Sequence, residues 1–148
     1  MNDRTDVLAA DHTANRRRTP RPQPILVADD NEDVRQLWRA CLALSGYAVT
    51  EAVDGADAVA KAILTTPAVI LMDFSMPGMN GADAVRMLRL HAPTRTIPVI
   101  GITAHSEGST RDFRRACDAV LEKPVNPDDL LAALRHALRW AVPPLPLA

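Results

Sequence analysis

Cysteine, long apolar runs and surplus basic charge are all scarce in this 148-residue sequence, and each shortage closes off a class of function. The two cysteines, Cys41 and Cys117, lie far apart and form no CxxC or Cys/His spacing. Neither a disulfide framework nor a zinc site is expected, and such usage suits a reducing compartment. No apolar run approaches the roughly 18 residues that a membrane-crossing helix requires. Residues 1–24 carry acids and scattered arginines where a secretion signal has an apolar stretch. A soluble, cytoplasmic protein without membrane partners is the expectation. The formal net charge of -1 argues against a direct nucleic-acid partner, because such proteins hold phosphates with an excess of Lys and Arg.

The remainder is sufficient for one core. Hydrophobic residues make up 47% of the chain and charged residues 24%, which excludes disorder of the whole. At this length folding buries roughly two-thirds of the unfolded surface without cross-links. The ends differ from the middle. Residues 1–23 hold five arginines and three aspartates with few bulky apolar side chains, the composition of a flexible basic tail. Residues 141–148 form a proline-rich tail that stops any helix preceding it. Residues 24–140 are left as a single domain.

Within that domain short β-branched or aliphatic runs alternate with amphipathic stretches, the pattern of βα units building a parallel sheet. The predicted strands are Pro24 to Ala28, Ala48 to Glu51, Ala68 to Met72, Val99 to Ile102 and Ala119 to Leu121. The runs Ile25-Leu26-Val27 and Val69-Ile70-Leu71-Met72 are apolar on both faces, as strands covered by helices on both sides are. Val34, Leu37, Trp38, Cys41 and Leu44 predict the inner face of a first helix, with Gly46 at its left-handed cap. Asp54 caps a second, with Ala56, Val59, Ala60 and Ile63 inward. A third runs from Gly81 to His91 around Val85 and Leu88. A fourth, Ser106 to Ala116, has little apolar surface beyond Phe113 and Ala116. The last is signalled by Asn126 as cap, Pro127 in the first turn, Asp128 and Asp129 at the positive end of the dipole, then Leu130, Leu131, Leu134 and Leu138.

In open α/β sheets chemistry lies outside the carboxyl ends of the strands. Those ends hold Asp29 and Asp30, Asp73, Thr103 and Lys123. Taken singly each has an ordinary reading, as a helix cap, a strand-ending threonine or a solvated lysine. Taken together they put three carboxylates, a hydroxyl and an ammonium on one rim. Three acids so close repel strongly unless they share a cation, and a few oxygen ligands with room for water suit Mg²⁺.

These residues resemble a response-regulator receiver domain of two-component signalling, of the chemotaxis-type single-domain kind. The likeness spans Ile25 to Leu138. It includes Ile70-Leu71-Met72-Asp73-Phe74-Ser75-Met76-Pro77-Gly78-Met79-Asn80-Gly81, similar to the family's phosphoacceptor loop, and Leu121-Glu122-Lys123-Pro124, similar to its lysine-proline element with a cis peptide. The resemblance implies a flavodoxin-like (βα)5 fold with a parallel sheet in order 2-1-3-4-5. It makes Asp73 the phosphoacceptor, and it gives Asp30, Asp73 and the Ser75 carbonyl, with Asp29 assisting, to Mg²⁺, for which Mn²⁺ can substitute. Lys123, Thr103 and the Ala104 N–H would contact the phosphoryl group. The implied partners are a sensor histidine kinase or histidine phosphotransfer protein and an output target protein. The only catalysis implied is the domain's own phosphotransfer and autodephosphorylation.

The sequence also departs from the family pattern. Val120 stands where receivers commonly carry Tyr or Phe, so the usual coupling of threonine to a switching aromatic is not expected. The segment from Thr103 to Lys123 is about two residues short and polar at Ser106-Glu107-Gly108-Ser109, which predicts a mobile or partly unwound fourth helix. Ser75 and His105 flank the implied path of an attacking water and are candidates for setting the lifetime of the phosphorylated state. Arg111, Arg114, Arg115, Arg135 and Arg139 offer a basic output face, or a symmetric dimer contact with Asp118, Glu122 or Asp129. Phosphatases of the haloacid-dehalogenase type need a second Asp two residues after the nucleophile. Here Ser75 follows Asp73 and Asn31 follows Asp29 at that spacing, so that enzyme class does not fit. A phosphorylation-independent interaction module and a phosphate sink or relay are the remaining alternatives.

Overall fold

The computed structural model describes residues 23–104 and 110–141, except the side chains of residues 140 and 141. The expected tails at 1–23 and 141–148, the start of the fourth helix at Ser106 to Ser109 with its predicted mobility, and His105 lie outside the described residues, apart from Gln23 and the backbone of Ala141. Among the described residues five strands, β1 (Ile25–Ala28), β2 (Val49–Ala52), β3 (Val69–Asp73), β4 (Val99–Thr103) and β5 (Ala119–Glu122), alternate with five helices. These are α1 (Glu32–Leu44), α2 (Gly55–Thr65), α3 (Gly81–Leu90), α4 (Arg111–Ala116) and α5 (Pro127–Ala141). All pairings are parallel and the sheet order is β2-β1-β3-β4-β5. This is the doubly wound arrangement expected.

β1, β3 and β4 are buried along their whole length because helices cover both faces. One face carries Leu26, Ala28, Ile70, Met72 and Val99, packed with Ala58 and Ala62 of α2, Ala84, Val85 and Leu88 of α3 and Phe113 of α4. The other carries Ile25, Val27, Val69, Leu71, Ile100 and Ile102, packed with Trp38 and Leu42 of α1 and Leu130 and Leu134 of α5. Among the described residues no helix is long and apolar enough to cross a membrane.

The caps fall where the sequence puts them. Asp54 accepts the Asp57 N–H at 2.7 Å, Asn126 accepts the Asp128 N–H at 2.8 Å, and Gly46 ends α1 at φ 89°. Two helix faces are corrected. On α1, Leu37 is 60% and Leu44 91% exposed, whereas Leu42, absent from the predicted stripe, is fully buried. On α2 the inward set is Gly55, Ala58, Val59 and Ala62, while Ala56 and Ala60 face out and Ile63 is 40% exposed. An alanine-rich helix has no strong stripe of its own. The close approach of α2 to the loop before α3, where a Cβ on Gly55 would run into the Met79 carbonyl, selects the smallest side chains for the contact. Strand ends shift by about one residue: β2 starts at Val49 rather than Ala48, and β3 and β4 run on through Asp73 and Thr103.

Candidate functional site

Parallel pairing puts the carboxyl ends of β1, β3, β4 and β5 on one rim. Asp29, just past β1, is 4% exposed and tightly held. Its N–H donates to the Ala52 carbonyl at 3.1 Å, and its Oδ1 accepts the Asn31 N–H at 2.9 Å. Asp30 follows and is exposed. Asn31 then caps α1 by accepting from Asp33 and Val34, so the acidic pair lies just before a helix start with its positive dipole end.

Asp73 ends β3 with 3% exposure, between Met72 and a loop anchored by Phe74, whose N–H donates to the Ile102 carbonyl at 2.9 Å. That loop turns at Gly78, φ 73°, and enters α3 at Gly81. A Cβ at Gly81 would meet the Asp73 carbonyl oxygen and the Phe74 Cα, so only glycine lets α3 start this close to the acidic strand end. Met76 is buried and Met79 packs on the same core, which gives both a structural role. Phe74 and Phe113 meet as a tilted ring pair, 5.2 Å between centroids and 53° between planes.

Lys123 projects from beyond β5 with Nζ 3.2 Å from Asp73 Oδ1. The two are close enough to attract as ions, yet among the described residues that buried oxygen has no aligned hydrogen-bond donor. The Lys123-Pro124 peptide is cis, and the Lys123 N–H donates to the Thr103 carbonyl at 2.9 Å, tying β5 to the end of β4. Thr103 is buried at 1% exposure, with Ala104 exposed beside it and Ser75 exposed across the rim. Val120 sits lower on β5, half-buried and in register with Gly101. Asp118 and Glu122, expected as dimer contacts, already pair within the chain, with Arg89 at 3.0 Å and Arg114 at 2.8 Å.

Electrostatics single out Asp73. Burial, followed by the charge of Asp29, pushes its carboxyl up to about 6 against the pull of Lys123. Burial likewise raises Asp29 above its usual range, opposed mainly by the Asn31 N–H. One lysine therefore does not satisfy the pocket. Carboxylate oxygens of Asp29, Asp30 and Asp73 lie within 4.8 Å of one another. A buried oxygen with no aligned donor among the described residues, beside two more carboxylates with all-oxygen chemistry, fits a hard divalent cation. Arg35, whose Nη1 donates to the Asp29 carbonyl at 2.8 Å, is a contact that the sequence reading misses. Nothing in helical periodicity distinguishes an arginine turned back onto the preceding loop.

Residues 25–135 match the family described as Response regulator receiver domain. Protein PilH of Pseudomonas aeruginosa is 36% identical over 116 residues, 77% of this chain and 96% of that protein. Transcriptional regulatory protein ResD of Bacillus subtilis is 34% identical over 119 residues, which cover 79% of this chain and 48% of ResD. The chain thus spans about half the length of several curated relatives it matches. Among solved structures, chemotaxis protein CheY4 of Vibrio cholerae shares 32% identity at a TM-score of 0.71, covering 78% of this chain and 98% of that one. The receiver domain of sensor histidine kinase PA1611 from Pseudomonas aeruginosa, solved with a magnesium ion coordinated in the active site cleft, shares 31% identity at a TM-score of 0.72, covering 80% and 97%. With the rim residues, the sheet order and these likenesses in agreement, the chain belongs to the response-regulator receiver domain family of two-component signalling.

Proposed function

We propose that this receiver accepts a phosphoryl group on Asp73 from a phosphohistidine donor, a sensor histidine kinase or a histidine phosphotransfer protein, and signals through a separate target protein. The observation that carries the reading is the Asp73 carboxylate itself. It is buried at a strand end, with Lys123 Nζ 3.2 Å away and two further carboxylates converging on it. Asp30, Asp73 and the Ser75 carbonyl, with Asp29 assisting, would hold Mg²⁺; the magnesium in the PA1611 receiver supports that choice. Bound there, the ion offsets the repulsion between an anionic nucleophile and an anionic phosphoryl group.

The chain's own residues carry the remaining steps. An Asp73 carboxylate oxygen attacks phosphorus as the P–N bond to the donor imidazole breaks, leaving an acyl phosphate on Asp73 and a neutral or reprotonated histidine on the donor. Lys123 supplies positive charge to the equatorial oxygens. The Thr103 hydroxyl and the Ala104 N–H donate to the phosphoryl group once it is attached. Drawing Thr103 toward Asp73 pulls on the end of β4 and, through the Thr103 carbonyl to Lys123 N–H bond, on β5. Val120 has no ring to swing, so the signal travels through this backbone coupling.

The test is gel mobility on a phosphate-affinity matrix after incubation with acetyl phosphate and Mg²⁺. A shift that disappears in Asp73→Asn and with chelator is expected. No shift from acetyl phosphate or from any phosphohistidine donor, with the protein folded, would refute the proposal.

A further inference from the structure

Behind the acidic pair stands a guanidinium. Arg35 lies in the first turns of α1 with its side chain 12% exposed. Nη1 donates to the backbone carbonyl of Asp29 at 2.8 Å, while Nε lies 3.5 Å from Glu51 Oε1 on β2. The other Glu51 oxygen is held by Arg39 at 3.2 Å. Glu51 is itself fastened to α2, because its carbonyl accepts from Lys61 Nζ at 2.6 Å and Lys61 pairs with Asp57 at 3.0 Å. Asp57 in turn accepts the Val53 N–H at 3.0 Å. The brace therefore runs unbroken from the acidic loop through β2 to α2.

The carbonyl that Arg35 grips belongs to the peptide joining Asp29 to Asp30. Its orientation sets the ψ of Asp29 and the φ of Asp30, and hence the direction in which the Asp30 carboxylate leaves the backbone. Asp29 is already fixed through its N–H and its Oδ1, so the carbonyl bond is the third point that makes the dipeptide rigid. Asp30, exposed at the rim, inherits its aim from that backbone. Arginine suits the place because its planar fork reaches a carbonyl with one nitrogen and a carboxylate with another. A bare guanidinium there would also repel a dication. Glu51 offsets that charge, leaving the ordering of the loop as the net effect.

We propose that Arg35, braced by Glu51, is a positioning residue that presents the Asp29 and Asp30 carboxylates to the divalent cation and strengthens its binding without touching it. This rests on the reading of the acidic pocket as a magnesium site. Groups that orient metal ligands from one shell out are typically worth about 10- to 100-fold in affinity.

The experiment uses the full chain stripped of metal at pH 7.5. Mg²⁺ affinity is measured by displacement of Mn²⁺, with free Mn²⁺ read by electron paramagnetic resonance, and thermal unfolding of the metal-free proteins is recorded alongside. Arg35→Met is expected to weaken Mg²⁺ by about tenfold, Arg35→Lys to recover part of the loss, and Glu51→Gln to weaken binding by a smaller factor. A merely structural arginine would lower the unfolding temperature and leave the affinity of the folded protein unchanged. That result in Arg35→Met overturns the proposal; if this variant does not fold, unchanged affinity in both Arg35→Lys and Glu51→Gln overturns it. A wild-type protein that bound no Mg²⁺ would refute the metal site itself, which is a separate failure.

Discussion

Replacing Asp73 by Asn should stabilise the metal-free protein at neutral pH, although it removes the group on which the proposed chemistry depends. Asp73 is 3% exposed, and its carboxyl is pushed from an ordinary 3.8 up to about 6 by burial and by Asp29, after the opposing pull of Lys123 is included. A tenfold change in proton affinity is about 1.36 kcal/mol, so holding this carboxylate ionised at pH 7.5 costs the fold about 3 kcal/mol. The isosteric amide carries no charge and recovers most of it. In a domain of this size that corresponds to a rise in Tm of about 10 °C. The pH dependence has a definite sign. A carboxyl with a raised folded-state value binds its proton more tightly when folded. Wild type therefore gains stability as pH falls through about 6 toward 3.8, whereas Asp73→Asn lacks that gain and the gap closes. Saturating Mg²⁺ should narrow the gap from the other side by stabilising wild type more than a variant that lacks one of the proposed ligands. Calorimetric scans of both proteins in chelator, at pH 5 and pH 7.5, and again with Mg²⁺, test each part. An Asp73→Asn protein less stable than wild type at pH 7.5, or a gap of equal size at both pH values, would refute the account.

Two other substitutions probe the same rim. Lys123→Met removes the charge 3.2 Å from Asp73 and should slow phosphorylation by acetyl phosphate at least tenfold, with Mg²⁺ binding retained or strengthened because a competing cation is gone; undiminished phosphorylation would show that Lys123 is only a neighbour. Gly81→Ala puts a methyl group against the Asp73 carbonyl and the Phe74 backbone. Over-packing of this kind costs about 1–3 kcal/mol, so denaturant unfolding should show a lower midpoint, and phosphorylation should slow because the acceptor strand end moves; a neutral result in both assays would mean that α3 shifts away freely.

The order of elements, the caps at Asp54 and Asn126, the turn at Gly46 and the rim residues were all legible in the sequence, because each depends on neighbours close along the chain. Strand ends deliver their last residue to the same side of a parallel sheet whatever the packing, which is why Asp29, Asp30, Asp73, Thr103 and Lys123 group together from the sequence alone. The strand order came instead with the resemblance, since crossovers of similar length are compatible with several orders. Other features belonged to the tertiary structure alone. Which face of α2 turns inward was decided by how closely its backbone approaches the loop before α3, and the burial of Leu42 in place of Leu44 by where α1 crosses the sheet. The electrostatic state of Asp73 arises from depth and from neighbours on other strands. The contact of Arg35 with both Asp29 and Glu51 joins a helix, a loop and a strand. Periodicity and capping are short-range and are written residue by residue, whereas burial, proton affinity and long side-chain contacts depend on distances that exist only once the chain has folded.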